Sequence, residues 1–274
     1  MPDTQNIKIT TRAEYDALQA LNYSGAKELL KSPAHFKAYA AAEREETKAL
    51  RMGTITHALV LEPEAALARY AIAPEVDKRT KAGKELFEIF TAANAGKTIV
   101  AADEWAVCEG VGASMRARLA DLGFRMVATE LMLAVDYCGV PLKSAIDAVV
   151  EDKAGDRWIV DLKTTEDASP KGFLSSVRAY RYNLQAHFYR TVYETYSRER
   201  IKGFVFVAAE KSAPYLSAAY RLGPELISYA IADFEQAVNT YKGCVAFDEW
   251  PGYPAEVVDL DIPAKSAATP ITFA

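Results

Sequence analysis

The sequence predicts an α/β fold of the α+β kind: a mixed sheet flanked by helices, with a helical part ahead of it. Three observations carry that expectation. Residues 141–165, PLKSAIDAVVEDKAGDRWIVDLKTT, read as two β-strands around a polar turn. Residues 202–210, KGFVFVAAE, form an apolar, β-branched run suited to a strand buried on both faces. Several longer stretches repeat apolar residues every three or four positions, the helical period.

In chain order, residues 1–20 are polar and read as a partly extended arm. Thr11 with Glu14 three residues later has the form of a capping box. Ser24 is expected to open a helix. Ser32-Pro33 starts another, SPAHFKAYAAAEREE, with Ser as N-cap and Pro in the first turn. His35 in that first turn reads as structural. Residues 52–61 are a short helix stopped by Pro63, and it carries His57 among Ile55, Ala58, Leu59 and Leu61. A lone histidine in such company usually satisfies a core.

Residues 64–127 are expected to be a helical connection. The charged run 77–84 reads as a solvated loop, followed by helices over 85–93 and 104–122. In the second, Trp105, Val107, Cys108, Val111, Met115 and Leu119 recur at core spacing, and Gly123 ends it. Residues 129–135 are the first strand of the sheet, where Glu130 could be a plain surface glutamate on an edge. Residues 136–139 turn into the hairpin. After Thr165, one long helix is expected from Ser169-Pro170 to about residue 196. Phe173, Val177, Tyr180, Leu184, Phe188 and Val192 form its buried stripe, and Gln185 and Tyr189 sit four apart at the edge. Arg178, Arg181 and Tyr182 on the same helix could hold a DNA strand by stacking and phosphate contact, or be ordinary solvated residues. His187 reads as structural. Further strands are expected over 203–209 and 214–221. A helix over 225–241 turns Leu226, Ile227, Ala230, Phe234, Ala237 and Val238 inward.

The chemistry concentrates in the hairpin. Asp147 lies late in its first strand and Asp161 late in its second, and Lys163 shares a face with Asp161. Carboxylates in apolar strands are costly unless compensated. A hard divalent cation compensates them well, and Mg²⁺ needs only one or two carboxylates besides water and phosphate. A lysine beside it would orient a water or neutralise phosphate charge, and a nearby metal would lower its pKa. A surface hairpin with an Asp–Lys ion pair is the competing reading.

Asp147, the Asp161-Leu162-Lys163 triplet, Gln185 and Tyr189, with His57 and Glu130 upstream, together resemble the PDDEXK nuclease superfamily. The D…DxK…QxxxY order is similar to its RecB-like branch. Residues 24–39 and 52–63 resemble the N-terminal part of the RecE-type (exonuclease VIII-like) domain of phages and prophages, and the similarity runs over residues 21–253. Ile146 stands where the superfamily's name has proline. The resemblance implies a restriction-endonuclease-like core in one nuclease domain, 21–253. Within it, 21–127 is mostly helical, 128–253 is the sheet core, and the tail is 254–274. It implies that His57, Glu130, Asp147, Asp161 and the Leu162 carbonyl bind Mg²⁺, with Mn²⁺ able to substitute. Lys163 would be catalytic, with Gln185 and Tyr189 beside it. It further implies a DNA exonuclease acting on double-stranded ends, 5′ to 3′, a ring-shaped homo-oligomer and a single-strand annealing protein as partner. An endonuclease, a single-strand nuclease or a catalytically inactive recombination protein are the alternatives.

Composition narrows the class. Half of the 274 residues are hydrophobic and a quarter are charged, which suits a soluble globular domain expected in the cytoplasm. No apolar run reaches the ~20 residues of a membrane span. The net charge of −5 argues against a protein that coats DNA, but not against a local basic groove. Cys108, Cys138 and Cys244 are three and scattered, so they cannot supply the four ligands of an iron–sulfur cluster and read as buried, reduced thiols.

Overall fold

A computed structural model gives the structure of residues 6–42, 46–257 and 259. The hairpin is the centre of a six-stranded sheet. Its strands are β1 (Ile7–Ile9), β4 (Arg125–Tyr137), β5 (Val140–Glu151), β6 (Arg157–Thr165), β7 (Gly203–Glu210) and β8 (Ser217–Tyr220), side by side in that order. All neighbours are antiparallel except β6 and β7, which are joined through α8 (Pro170–Tyr180) and α9 (Tyr182–Ser197). The β4–β5 turn is Cys138-Gly139, both at positive φ (53° and 82°), the conformation that suits a two-residue hairpin. Cys138 is therefore exposed rather than buried, whereas Cys108 and Cys244 are buried as expected. The β5–β6 turn is held by Asp152, whose carboxylate accepts from Ala154 N–H, Asp156 N–H and the Trp158 indole.

Helices cover both faces. On one face α2 (Tyr23–Leu29), α9 and α10 (Pro224–Phe247) bury Leu142, Ile146, Ile159 and Phe206 against Leu184, Phe188 and Phe234. On the other, α4 (Lys48–Leu61) and α7 (Ala102–Asp121) bury Ala148, Val160, Leu162 and Val207 against Val111 and Met115. β6 alternates cleanly, with Ile159 inward to the first layer and Val160 and Leu162 to the second.

The capping signals fold as read at two sites. Thr11 and Glu14 form a reciprocal box on α1 (Arg12–Ala17), and Ser32 caps α3 (Pro33–Ala41), where His35 bonds Ser32 Oγ at 2.7 Å. Asn22 rather than Ser24 caps α2, because Asn22 is the extended residue and its Oδ1 accepts from Gly25 N–H at 2.7 Å. α3 stops at Ala41, short of the expected Glu46, and residues 43–45 lie outside the described ones. Pro63 both ends α4 and begins α5 (Pro63–Arg69). The supposed helical connection contains a small parallel sheet of β2 (Tyr70–Ile72) and β3 (Thr98–Val100). Thr80 caps α6 (Lys81–Ala93), which cuts the expected charged loop short. The N-terminal arm supplies β1. α1 is fastened by Lys143 on β5, whose buried ammonium donates to the Tyr15 and Leu18 carbonyls at 2.6 and 2.7 Å.

The long helix expected after Thr165 is broken. Arg181 adopts a left-handed conformation (φ 54°, ψ 43°) and divides it into α8 and α9. Tyr180, expected in the buried stripe, is 54% exposed at the break. α10 runs six residues past the expected Tyr241 to Phe247 and leaves Ile227 exposed. Most of the tail from Pro254 lies outside the described residues.

Candidate functional site

The site begins where a ladder stops. β5 and β6 pair from Glu151↔Arg157 to Ala148↔Val160 and no further. The next residues on each strand, Asp147 and Asp161, stand at the mouth of the fork. The Leu162 N–H, which no longer has a β5 carbonyl to meet, donates to Asp147 Oδ2 at 2.7 Å. Within a strand one residue's N–H and C=O point to the same side, so the Leu162 carbonyl also faces the open fork.

On β4, Thr129 faces Ala148 and Leu131 faces Ile146, which sets Glu130 level with Asp147. Glu130, Asp147 and Asp161 thus stand abreast on three neighbouring strands. Glu130 has φ 46°, a left-handed conformation that is uncommon outside glycine and costs about 1–3 kcal/mol. At the same level β5 turns over: Ile146 packs in the α9 layer and Ala148 in the α4–α7 layer, although residues two apart in a strand ordinarily share a face. The twist and the fork open the sheet, so groups from both helical layers reach the acids. His57 comes from α4 and Gln185 from α9.

Asp161 is the most enclosed of the three acids, 1% exposed. Gln185 Nε2 donates to its Oδ1 at 2.9 Å. Lys163 Nζ lies 2.5 Å from Oδ2, a close ion contact rather than a well-directed hydrogen bond. Burial pushes the Asp161 carboxyl up to about 6; Lys163 opposes the rise and Asp147 adds to it. Asp147 is also penalised by burial, but His57, Lys163 and the Leu162 N–H outweigh that and hold it below the usual carboxylate range. His57 Nδ1 is 3.5 Å from Asp147 Oδ2. Burial alone would lower the imidazole, yet Asp147's charge makes the net shift upward. Burial likewise works against the Lys163 ammonium, and Asp161 and Asp147 reverse it. Glu130 is the exposed acid of the three; partial desolvation by its neighbours, then Asp147, raises its carboxyl. Burial, then Asp161, holds the Tyr189 hydroxyl well above its ordinary range.

Every residue expected at the centre is therefore gathered there: His57, Glu130, Asp147, Asp161, Leu162, Lys163, Gln185 and Tyr189. They do not form a finished cage. Among the described residues no three of His, Cys, Asp and Glu are drawn together closely enough to hold a metal ion. Lys163 and His57 rest on the carboxylates instead. The donor set nonetheless fits a hard divalent cation: acids whose carboxyls are raised by desolvation and by Asp147, a buried Asp161 oxygen met by Lys163, and one imidazole.

The three groups expected on DNA separate. Tyr182 joins the site, with Lys163 Nζ 4.7 Å from its ring centroid. Arg181 is bound to Asp233 of α10 at 2.7 Å and serves the helix junction. Arg178 lines a groove with Arg181, Tyr229 and Asp233, away from Lys163. Sequence reasoning missed Tyr180 and Tyr23. The Tyr23 hydroxyl donates to the Tyr180 carbonyl, and its ring meets Tyr189 edge-on at 6.4 Å. The two helix-favouring patterns on either side of Arg181 hid the break.

Comparison with known proteins bears on the family and the fold. A family described as the PDDEXK-like domain of unknown function (DUF3799) matches residues 22–260. A crystal structure of a protein from Eubacterium rectale, provisionally assigned as an exonuclease, superposes with a TM-score of 0.60 at 15% identity. It covers 93% of this chain and 96% of its own. A second solved structure, SSO0001, aligns over 70% of this chain and 86% of its own at 10% identity, with a TM-score of 0.30, too loose a likeness to speak to the fold. Among curated proteins, none matches the chain in sequence.

Proposed function

We infer, since the chain belongs to the PDDEXK-like family (DUF3799), that it is a divalent-metal-dependent nuclease that hydrolyses DNA phosphodiester bonds. The observation that carries this is the trio Glu130, Asp147 and Asp161 abreast at the β5–β6 fork, with Lys163 against the last of them. Glu130, Asp147, Asp161, His57 and the Leu162 carbonyl would hold Mg²⁺ or Mn²⁺, which when bound polarises the phosphate and lowers the pKa of water. Without metal, Asp161 and Asp147 outweigh burial and favour the Lys163 ammonium; a cation bound at those carboxylates would oppose that shift. The role of Lys163 is to position the attacking water and neutralise charge developing on the phosphate. Gln185 fixes Asp161 Oδ1, while Lys163 Nζ rests on Oδ2. Tyr189 and Tyr23 brace α9 and α2 behind it.

The finer reading is an exonuclease on double-stranded ends, running 5′ to 3′, leaving 3′ single strands for recombination. Its support is the RecE-type resemblance, which also suggests a ring-shaped homo-oligomer and a single-strand annealing partner. Linear duplex labelled at each end in turn and closed circular duplex, each with Mg²⁺ or chelator, test it. Loss of the 5′ label from linear DNA with intact circles supports the proposal. Cut circles would favour an endonuclease, and no cleavage of any DNA with Mg²⁺ or Mn²⁺ would refute a nuclease.

A further inference from the structure

Tyr180 and Tyr182 are two residues apart, a spacing that in a continuous helix puts side chains on different faces. The left-handed Arg181 between them changes that. It brings their rings into a stack with centroids 5.5 Å apart and planes at 27°. Tyr182 is the inner ring. It packs against Phe173 and Phe206 at 6.1 and 5.8 Å and carries Lys163 Nζ over its ring. Tyr180 is the outer ring, more than half exposed. Its carbonyl is fixed by the Tyr23 hydroxyl, and the junction is pinned by the Arg181–Asp233 ion pair. The break, with an uncommon backbone conformation and two tethers, thus presents one solvent-facing aromatic surface beside the lysine.

Both tyrosines and Lys163 line the same cleft, about 290 Å³, the low end for a small-ligand site and scaled to a single nucleotide. Its two carboxylates are already committed. Glu166 is paired with Lys211 at 2.5 Å, and Asp167 accepts from the Ser169 N–H at the start of α8. Base–aromatic stacking needs no sequence match and no charge, whereas a base still paired in a duplex shows its faces only to its stacked neighbours.

We propose that Tyr180, stacked on Tyr182, is a platform for an unpaired base of the DNA strand whose phosphate meets Lys163. This deepens the nuclease reading and rests on it. The enzyme would act on a strand separated from its complement at the point of cleavage, so an open or frayed end would be a better substrate than a blunt one.

The test uses the full chain and an oligonucleotide carrying 2-aminopurine at its end, bound in Ca²⁺ or chelator so that cleavage does not interfere. Wild type should quench the fluorescence, Tyr180→Phe should retain the quench, and Tyr180→Ala should lose it and bind about 5- to 150-fold more weakly. In Mg²⁺, mismatched terminal pairs should speed wild type, and this preference should vanish in Tyr180→Ala. Thermal melts of the variants confirm that this exposed position leaves the fold intact. An unchanged quench and affinity in Tyr180→Ala would overturn the platform even if wild type cleaves DNA. A quench that depends on Tyr180 in a protein that cuts no DNA would support the platform and defeat the nuclease reading.

Discussion

Gln185→Met tests the electrostatic core of the site with little change of volume. Gln185 is 5% exposed and donates to Asp161 Oδ1 at 2.9 Å. A hydrogen bond to a charged group contributes about 1.5–3 kcal/mol, and leaving a buried carboxylate oxygen unmet places the loss at about 2 kcal/mol. For a chain of this size that lowers the melting temperature by about 4–8 °C. The pH dependence gives the sharper check. In the folded protein Asp161 titrates at about 6, above its unfolded value near 3.9, so its protonated form favours folding. That contribution is full below about pH 4 and is lost as pH rises through about 6. Methionine removes a partner of the ionised form and raises the folded pKa further. The destabilisation should therefore be small at pH 5 and reach its full size by about pH 7.5, measured by urea unfolding of both proteins without metal. A loss of the same size at every pH would mean that Gln185 only fills space, and would refute this account of Asp161.

Other perturbations reach the same site by different routes. Glu130→Gly relieves the left-handed strain and should raise stability by about 1 kcal/mol or more, while weakening Mn²⁺ binding in calorimetry; a fall in stability would contradict the strain. Lys163→Ala should slow DNA cleavage by about 100-fold or more with the cation still bound, and near-normal cleavage would remove Lys163 from the mechanism. Protons and cation compete for Asp161, so Mn²⁺ affinity should fall up to about tenfold per pH unit below about pH 6. A flat affinity from pH 5 to 8 would show that the ion binds elsewhere.

The hairpin was legible because its signals are local. β6 spans the RWIVDLKTT stretch of the sequence reading, and Asp161 and Lys163 share a face as alternation requires. The capping residues Thr11 and Ser32 were legible for the same reason, each bonding within its own turn. The buried stripe of α7 also followed from period alone. Non-local features were not legible. β1 and the β2–β3 pair are three-residue strands that exist through partners far along the chain. The turnover at Asp147 depends on β4 lying beside it. The break at Arg181 depends on Asp233 and Tyr23, more than 50 and 150 residues away in sequence. Helical periodicity carried straight across it and buried Tyr180 on paper. His57 was a typical core histidine by pattern, and only the fork, open from both layers, brings it to Asp147.

Crystals of the protein soaked in manganese test the central claim most directly. Anomalous scattering should place an ion at the carboxylates of Asp147 and Asp161, with Glu130 and His57 turned toward it and Lys163 moved off Asp161. A site without anomalous signal, with Lys163 still resting on Asp161, would contradict it.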